Sequence, residues 1–204
     1  MRRRVRSRSL GGARVAILHR LHPTVQALER QLVAIGLVAE QCWPDLPPSA
    51  MAADFVFFDA DHGHDSQFPW PPGSPPMPMV ALIGSEAPGR IEWALNAGAD
   101  AQLLKPVGDG GVFSALLTAR VAFEARRALS DQIAALRQRL EQRQTVVRAV
   151  ALLMGMGKTE DDAYGQLRAM AMAWRISFEA AAERVVTAQR GGQGAVRATG
   201  PGDG

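Results

Sequence analysis

The chain has one cysteine and one tyrosine among 204 residues, and its aromatics amount to only 6%. The single thiol, Cys42, excludes an internal disulfide and fits a reducing compartment. In its apolar context it reads as a small packed residue rather than a nucleophile. Long apolar runs are missing too. Nothing approaches the ~20 residues a membrane-spanning helix needs. The run after the arginine-rich start, Val15 to Leu18, ends at His19-Arg20, which is too short for the apolar region of a signal peptide. A soluble, cytoplasmic protein without membrane association is expected.

What is present is unevenly spread. The net charge of +3 includes five arginines within residues 2 to 8, and a second group lies between Arg120 and Arg148. Basic stripes of this kind suit an acidic partner such as nucleic acid, and they also occur as plain solvated faces.

The pattern changes once, near residue 120. Before it, short apolar runs at Val15–Leu18, Phe55–Phe58, Val80–Ile83 and Gln102–Leu104 read as buried strands. Pro23 opens a helix through Leu28, Leu32 and Ile35 that Gly36 stops, and another helix lies around Ile91 to Asn96. Strands alternating with helices imply a parallel sheet with right-handed crossovers. From Asp61 to Pro78 the six prolines beginning at Pro69 allow at most a short helix. After about Val112 the helical period takes over. Leu129, Ile133, Leu136, Leu140, Val147, Val150 and Met154 follow four- and three-residue steps, with Arg143 in the place of one member. That is a heptad seam, and it predicts a homodimer through a coiled coil; the alternative is a helix packed on its own domain.

Asp54-Phe-Val-Phe-Phe-Asp59, followed by Ala94-Leu-Asn-Ala-Gly-Ala-Asp-Ala-Gln-Leu-Leu-Lys105-Pro106, resembles the receiver domain of two-component response regulators. The resemblance makes Asp59 the phosphoacceptor-like residue and Lys105 the receiver-like lysine. It implies a flavodoxin-like, doubly wound parallel sheet. A receiver needs an acidic pair after its first strand, because Mg2+ requires carboxylate oxygens beside the phosphoryl group. Those places hold His19 and Arg20. The hydroxyl expected after the fourth strand falls on Gly84, with Ser85 one place late. A pseudo-receiver with an unmodified Asp59 is the expectation.

Two other constellations read more plainly. Asp59, Asp61, His62, His64 and Asp65 could suggest a metal site, but the run lacks fixed ligand spacing and reads as a polar loop end. Gly157-Lys158-Thr159 would need a glycine at Leu152 and a preceding strand to be a phosphate-binding loop. Instead Gly155 and Gly157 end one helix, and Thr159 with Asp162 starts the next as a capping box. No catalytic residue, metal or cofactor is assigned.

From Ala149 to Val186 three short helices are expected. Ala163, Leu167, Met170, Ala171 and Trp174 form the packing stripe of the second, and Tyr164, Arg168 and Arg175 line up beside it. A tyrosine next to arginines can stack an unpaired base and hold its phosphates, or it can be half-buried beside solvated charges. The third helix starts at Ser177 and packs through Phe178, Ala181, Ala182, Val185 and Val186.

Ala149-x-x-x-Leu153-Met154, then Asp162-Ala163-Tyr164-x-x-Leu167-Arg168-x-x-Ala171-Met172, then an apolar helix ending Val185-Val186, resembles the ANTAR domain of AmiR/NasR-type antitermination regulators. Gln41-Cys42-Trp43-Pro44 resembles a segment of the same family, whose layout is a pseudo-receiver, a coiled-coil helix and an ANTAR domain. Val150 stands where the family usually has lysine. The resemblance implies a non-enzymatic, RNA-binding regulator that binds hairpins of a leader transcript to prevent termination. A ligand-sensing partner of the periplasmic-binding-protein fold would dock on the pseudo-receiver. The expected contacts to RNA are Tyr164, Arg168 and Arg175, with Arg148 and Lys158 as electrostatic support. The expected division is a basic disordered tail at 1–13, the pseudo-receiver at 14–120, the coiled-coil helix at 121–148, the ANTAR domain at 149–190 and a flexible tail at 191–204. A phosphorylation-dependent response regulator and a duplex-DNA-binding regulator are the alternatives.

Overall fold

The computed structural model describes the backbone of residues 10–197 and side chains to residue 189. It divides into two compact units, residues 1–128 and 129–204.

Five parallel strands form the sheet of the first unit: β1 Arg14–Leu18, β2 Val38–Cys42, β3 Phe55–Asp59, β4 Met79–Ile83 and β5 Ala101–Leu104, in the order β2-β1-β3-β4-β5. The central strands read as unbroken apolar runs because both of their faces are buried. Val15, Ile17, Phe55, Phe57, Val80 and Leu82 join one core cluster, while Ala16, Leu18, Val56, Phe58, Met79, Ala81 and Ile83 join the other. Helix α1, Pro23–Ala34, covers the first face with Val25, Leu28 and Leu32, together with Val112, Leu116 and Ala119 from the start of α3, Val112–Met154. The ion pair between Arg126 and the nearly buried Asp100, 3.0 Å long, ties that helix to the sheet, and Asp100 also accepts from the backbone of Met79.

The second face is covered differently. Helix α2, Pro88–Ala97, supplies Ala94 and Ala97, starts with proline in its first turn and ends on Gly98 at φ 102°. Between β3 and β4 the prolines leave only a 3-10 turn at Asp65–Gln67, and the stacked rings of Phe68 and Trp70 fill the space of the crossover helix. The half-exposed β2 escaped recognition from periodicity because it lies at the sheet edge and carries no continuous apolar run. Leu10 is buried in the first core, so the stretch expected as a tail at 1–13 is packed by that residue, and residues 1–9 lie outside those described.

In the second unit the end of α3 packs Ala149, Val150 and Leu153 against Ala163, Leu167 and Ala171 of α4, Glu160–Trp174, and Ala181 and Ala182 of α5, Phe178–Arg197. Thr159 caps α4 by accepting from the Asp162 N–H, and Ser177 caps α5 by accepting from the Ala180 N–H. The backbone of α5 runs to Arg197, past the Gly191 at which a tail was expected to begin. No described helix is long and apolar enough to cross a membrane.

Leu167 is fully buried at the centre of the small three-helix core. Leu167→Ala should therefore destabilise the second unit by about 2–5 kcal/mol, measured by urea denaturation. A loss below ~1 kcal/mol would contradict that packing.

Candidate functional site

Two groups of side chains stand out, one in each unit. The first lies at the carboxyl edge of the sheet, where the strand order reverses between β1 and β3. His19 follows β1, Asp59 ends β3, Gly84 follows β4 and Lys105 follows β5. Asp59 has no exposed side-chain surface. Its Oδ1 accepts from Lys105 Nζ at 2.8 Å and from the Asp61 backbone N–H at 3.1 Å. Its Oδ2 is 3.0 Å from His62 Nδ1 and 3.5 Å from His19 Nε2. Lys105 Nζ also reaches Asp61 Oδ2 at 2.6 Å and His19 Nε2 at 3.5 Å, so each of its three donors has an acceptor.

Burial pushes the Asp59 carboxyl up, but Lys105, His19 and the Asp61 N–H outweigh it and hold the group below its ordinary value. Asp61 is held low in the same way, by Lys105 and the Ser85 and Gly84 N–H groups against burial. His19 moves down because burial outweighs its bond to the Arg20 carbonyl and the attraction of Asp59. With Nδ1 donating to Arg20 O at 2.7 Å, the neutral ring leaves Nε2 bare toward Lys105. The positions a receiver gives to its acidic pair thus hold a buried neutral imidazole and, in Arg20, an exposed cation.

The polar run after β3 is dispersed. His64 lies 3.6 Å from Asp45, and Trp93 Nε1 donates to Asp65 at 2.7 Å. Among the described residues no group of three His, Cys, Asp or Glu side chains is placed to hold a metal.

The second group lies on the three-helix unit. Tyr164 stays 40% exposed, with its ring parallel to Phe178 at 6.1 Å between centroids. Arg148, Lys158, Arg168 and Arg175 are all exposed. Arg175 does not continue the α4 face that carries Tyr164 and Arg168. It caps the helix at φ 54°, the left-handed region, so its alignment in the sequence assumed one helical residue too many. Trp174 likewise departs from the expected packing stripe. It is 41% exposed, and the Arg184 guanidinium lies over its ring at 5.3 Å. Periodicity could not find that pair, because it joins two helices. Val150 is buried in the core of the unit, so the place where the family usually has lysine does not face solvent here.

The model of the AmiR N-terminal family matches residues 13–120, and that of the ANTAR domain matches residues 134–186. The chain belongs to the AmiR family of ANTAR regulators. Its ANTAR domain is of an RNA-binding type and is joined here to a receiver-like sheet. The transcriptional regulatory protein PdtaR, from two strains of Mycobacterium tuberculosis, is 36% identical over 110 residues, 53% of this chain and 54% of PdtaR. The chain thus spans about half the length of the curated relatives it matches. Among solved structures, the first receiver domain of ShkA, in complex with c-di-GMP, is 25% identical with a TM-score of 0.41, covering 56% of this chain and 94% of that one. The chemotaxis response regulator CheY4 of Vibrio cholerae is 16% identical with a TM-score of 0.40, covering 53% and 98%.

The lowered His19 value has a direct consequence. Unfolded histidine takes up a proton below about pH 6.5 while the buried ring does not, so stability falls as pH drops through that value. The slope from this one group reaches at most ~1.4 kcal/mol per pH unit. Asp59 and Asp61 add a separate loss at lower pH, where unfolded carboxylates protonate near pH 4 and the folded ones resist. Urea denaturation at pH 7, 6 and 5 should show the decline, and His19→Asn should flatten it above pH 5. An equal slope in the variant would remove His19 as its source.

Proposed function

We propose that this AmiR-family chain is a transcription antitermination regulator that binds hairpins of a leader transcript as a homodimer. The observation that carries the reading is the surface of the three-helix unit. Tyr164 braced on Phe178 offers a ring for an unpaired base, and Arg168, Arg175, Arg148 and Lys158 supply charge for its phosphates. Arg184 over Trp174 adds an aromatic-cation pair on the same unit.

Dimerisation is supported by the bare seam of α3. Leu129, Ile133, Leu136 and Leu140 are 49–62% exposed, which suits a second copy supplying the missing wall of a coiled coil. Two copies hold two RNA sites at a fixed spacing, so paired hairpins gain affinity through effective concentration. The reading places residues 14–120 as the control domain, 121–148 as the coupling helix and 149–190 as the RNA-binding domain, acting in the cytoplasm. The enclosure of Asp59 supports control without phosphorylation, through a ligand-sensing protein docked on the receiver-like sheet. Such a protein binds RNA and catalyses no reaction.

Gel-shift titration at matched salt should show a two-hairpin leader RNA bound more tightly than duplex DNA; the reverse order sinks the RNA assignment in favour of a duplex-DNA regulator. Tyr164→Ala and Arg168→Ala should each weaken RNA binding by about 1–3 kcal/mol with the helical circular dichroism unchanged. The dimer has its own test in Leu136→Asp. Sedimentation should find this variant monomeric, with two-hairpin affinity lost and single-hairpin affinity kept. A dimeric Leu136→Asp protein overturns the coiled-coil interface.

A further inference from the structure

Between the 3-10 turn after β3 and helix α2, a cavity of about 40 Å3 is lined by Asp65, Phe68, Trp70, Pro72, Trp93 and Asn96. Its aromatic walls are fixed from behind. Trp70 stacks on Phe68 with ring centroids 5.4 Å apart, and Trp93 meets the buried Phe58 edge-on at 5.9 Å. A Cβ at Gly63 would collide with the Trp93 ring, so that glycine lets the indole lie where it does. Trp93 Nε1 donates to Asp65 Oδ1 at 2.7 Å, which pins the carboxylate at the cavity. Among the described residues the other oxygen, Oδ2, has no hydrogen bond or ion pair. Arg90 of α2 is bonded to the Gly63 carbonyl at 3.2 Å and does not line the cavity.

Aromatic faces beside an anchored carboxylate with a spare oxygen suit a flat cation that both stacks and donates. A guanidinium has this form, whereas an ammonium is compact and more strongly hydrated. At ~10–15 Å3 for one water, the cavity takes a group of a few heavy atoms and no more. So few atoms cannot hold a free small molecule tightly. One side chain inserted from a docked protein adds to contacts made elsewhere, and arginine is enriched at such anchor points.

We infer that this cavity receives the guanidinium of one arginine from a protein docked on the receiver-like sheet. Asp65 meets its charge, and the indoles of Trp70 and Trp93 meet its faces. The inference deepens the reading that a protein docks on this unit and rests on it for the source of the arginine.

The probe is the peptide acetyl-Ala-Arg-Ala-amide, titrated into the full 15N-labelled chain with the indole N–H signals of Trp70 and Trp93 as the readout. Both signals should shift and saturate. The peptide with citrulline, the neutral isostere, or with lysine in place of arginine should bind at least about tenfold more weakly. Asp65→Asn removes the charge but keeps an acceptor for Trp93, and should cost the arginine peptide about tenfold; Trp70→Leu should cost as much, read on Trp93. Glu92→Ala, which removes an exposed acid of α2 that does not line the cavity, should leave the affinity unchanged. The inference is overturned if no saturating shift is seen, if either substitute peptide binds as well, or if the folded Asp65→Asn and Trp70→Leu chains bind as the unaltered one does. Methylguanidinium binding as tightly as the peptide overturns the protein as the source, in favour of a free small cation. A covalent mass increase on Asp59 after incubation with acetyl phosphate and Mg2+ overturns the separate reading of control without phosphorylation and leaves the peptide result standing.

Discussion

The ammonium of Lys105 is shared between the carboxylates of Asp59 and Asp61, and the carboxyl edge of the sheet is organised around that sharing. An ionised carboxylate with no exposed surface is costly unless its charge is met and its lone pairs are filled. Lys105, the Asp61 N–H and His62 do this for Asp59. Asp61 in turn links the end of β3 to the loop after β4, so one cation joins the ends of β3, β4 and β5. Removing the lysine would leave two neighbouring carboxylates without their cation, whereas the sheet beneath rests on apolar burial from both faces.

The enclosure of that edge bears on how such a sheet is controlled. Divalent cations need open carboxylate oxygens and room for water. Here the imidazole of His19 fills one side, Lys105 another and Asp61 the third. On the proposed reading, a signal reaches this unit at its outer surface. The 3-10 turn and the Phe68-Trp70 stack, which replace a crossover helix, give that surface an outline of its own.

The three-helix unit works on a smaller scale. Its core is built from alanines, Val150 and one leucine from each of α3 and α4, with Val146, Ile176, Phe178, Val185 and Val186 at its margin, which leaves little room inside for the largest side chains. That is why Tyr164 and Trp174 meet solvent, each braced by one neighbour, Phe178 or Arg184. A ring held by a partner loses less freedom on stacking with a base than a free one does.

Much of this was legible in the sequence. Apolar runs buried on both faces announced β1, β3 and β4, the prolines limited any helix before β4 to a short one, and Thr159 and Ser177 marked helix starts, because these signals are local. The replacement of an acidic pair by His19 and Arg20 was equally visible, as was the place of Asp59 and Lys105. Only the tertiary structure decided what joins them. It turned Asp61 inward onto Gly84 and Lys105, buried Val150, lifted Trp174 out of its expected stripe under Arg184, and took Arg175 off the α4 face by a left-handed cap. Helical and strand periods assign a residue to a face, but contacts between distant segments, and the backbone turn at a helix end, determine what that face meets.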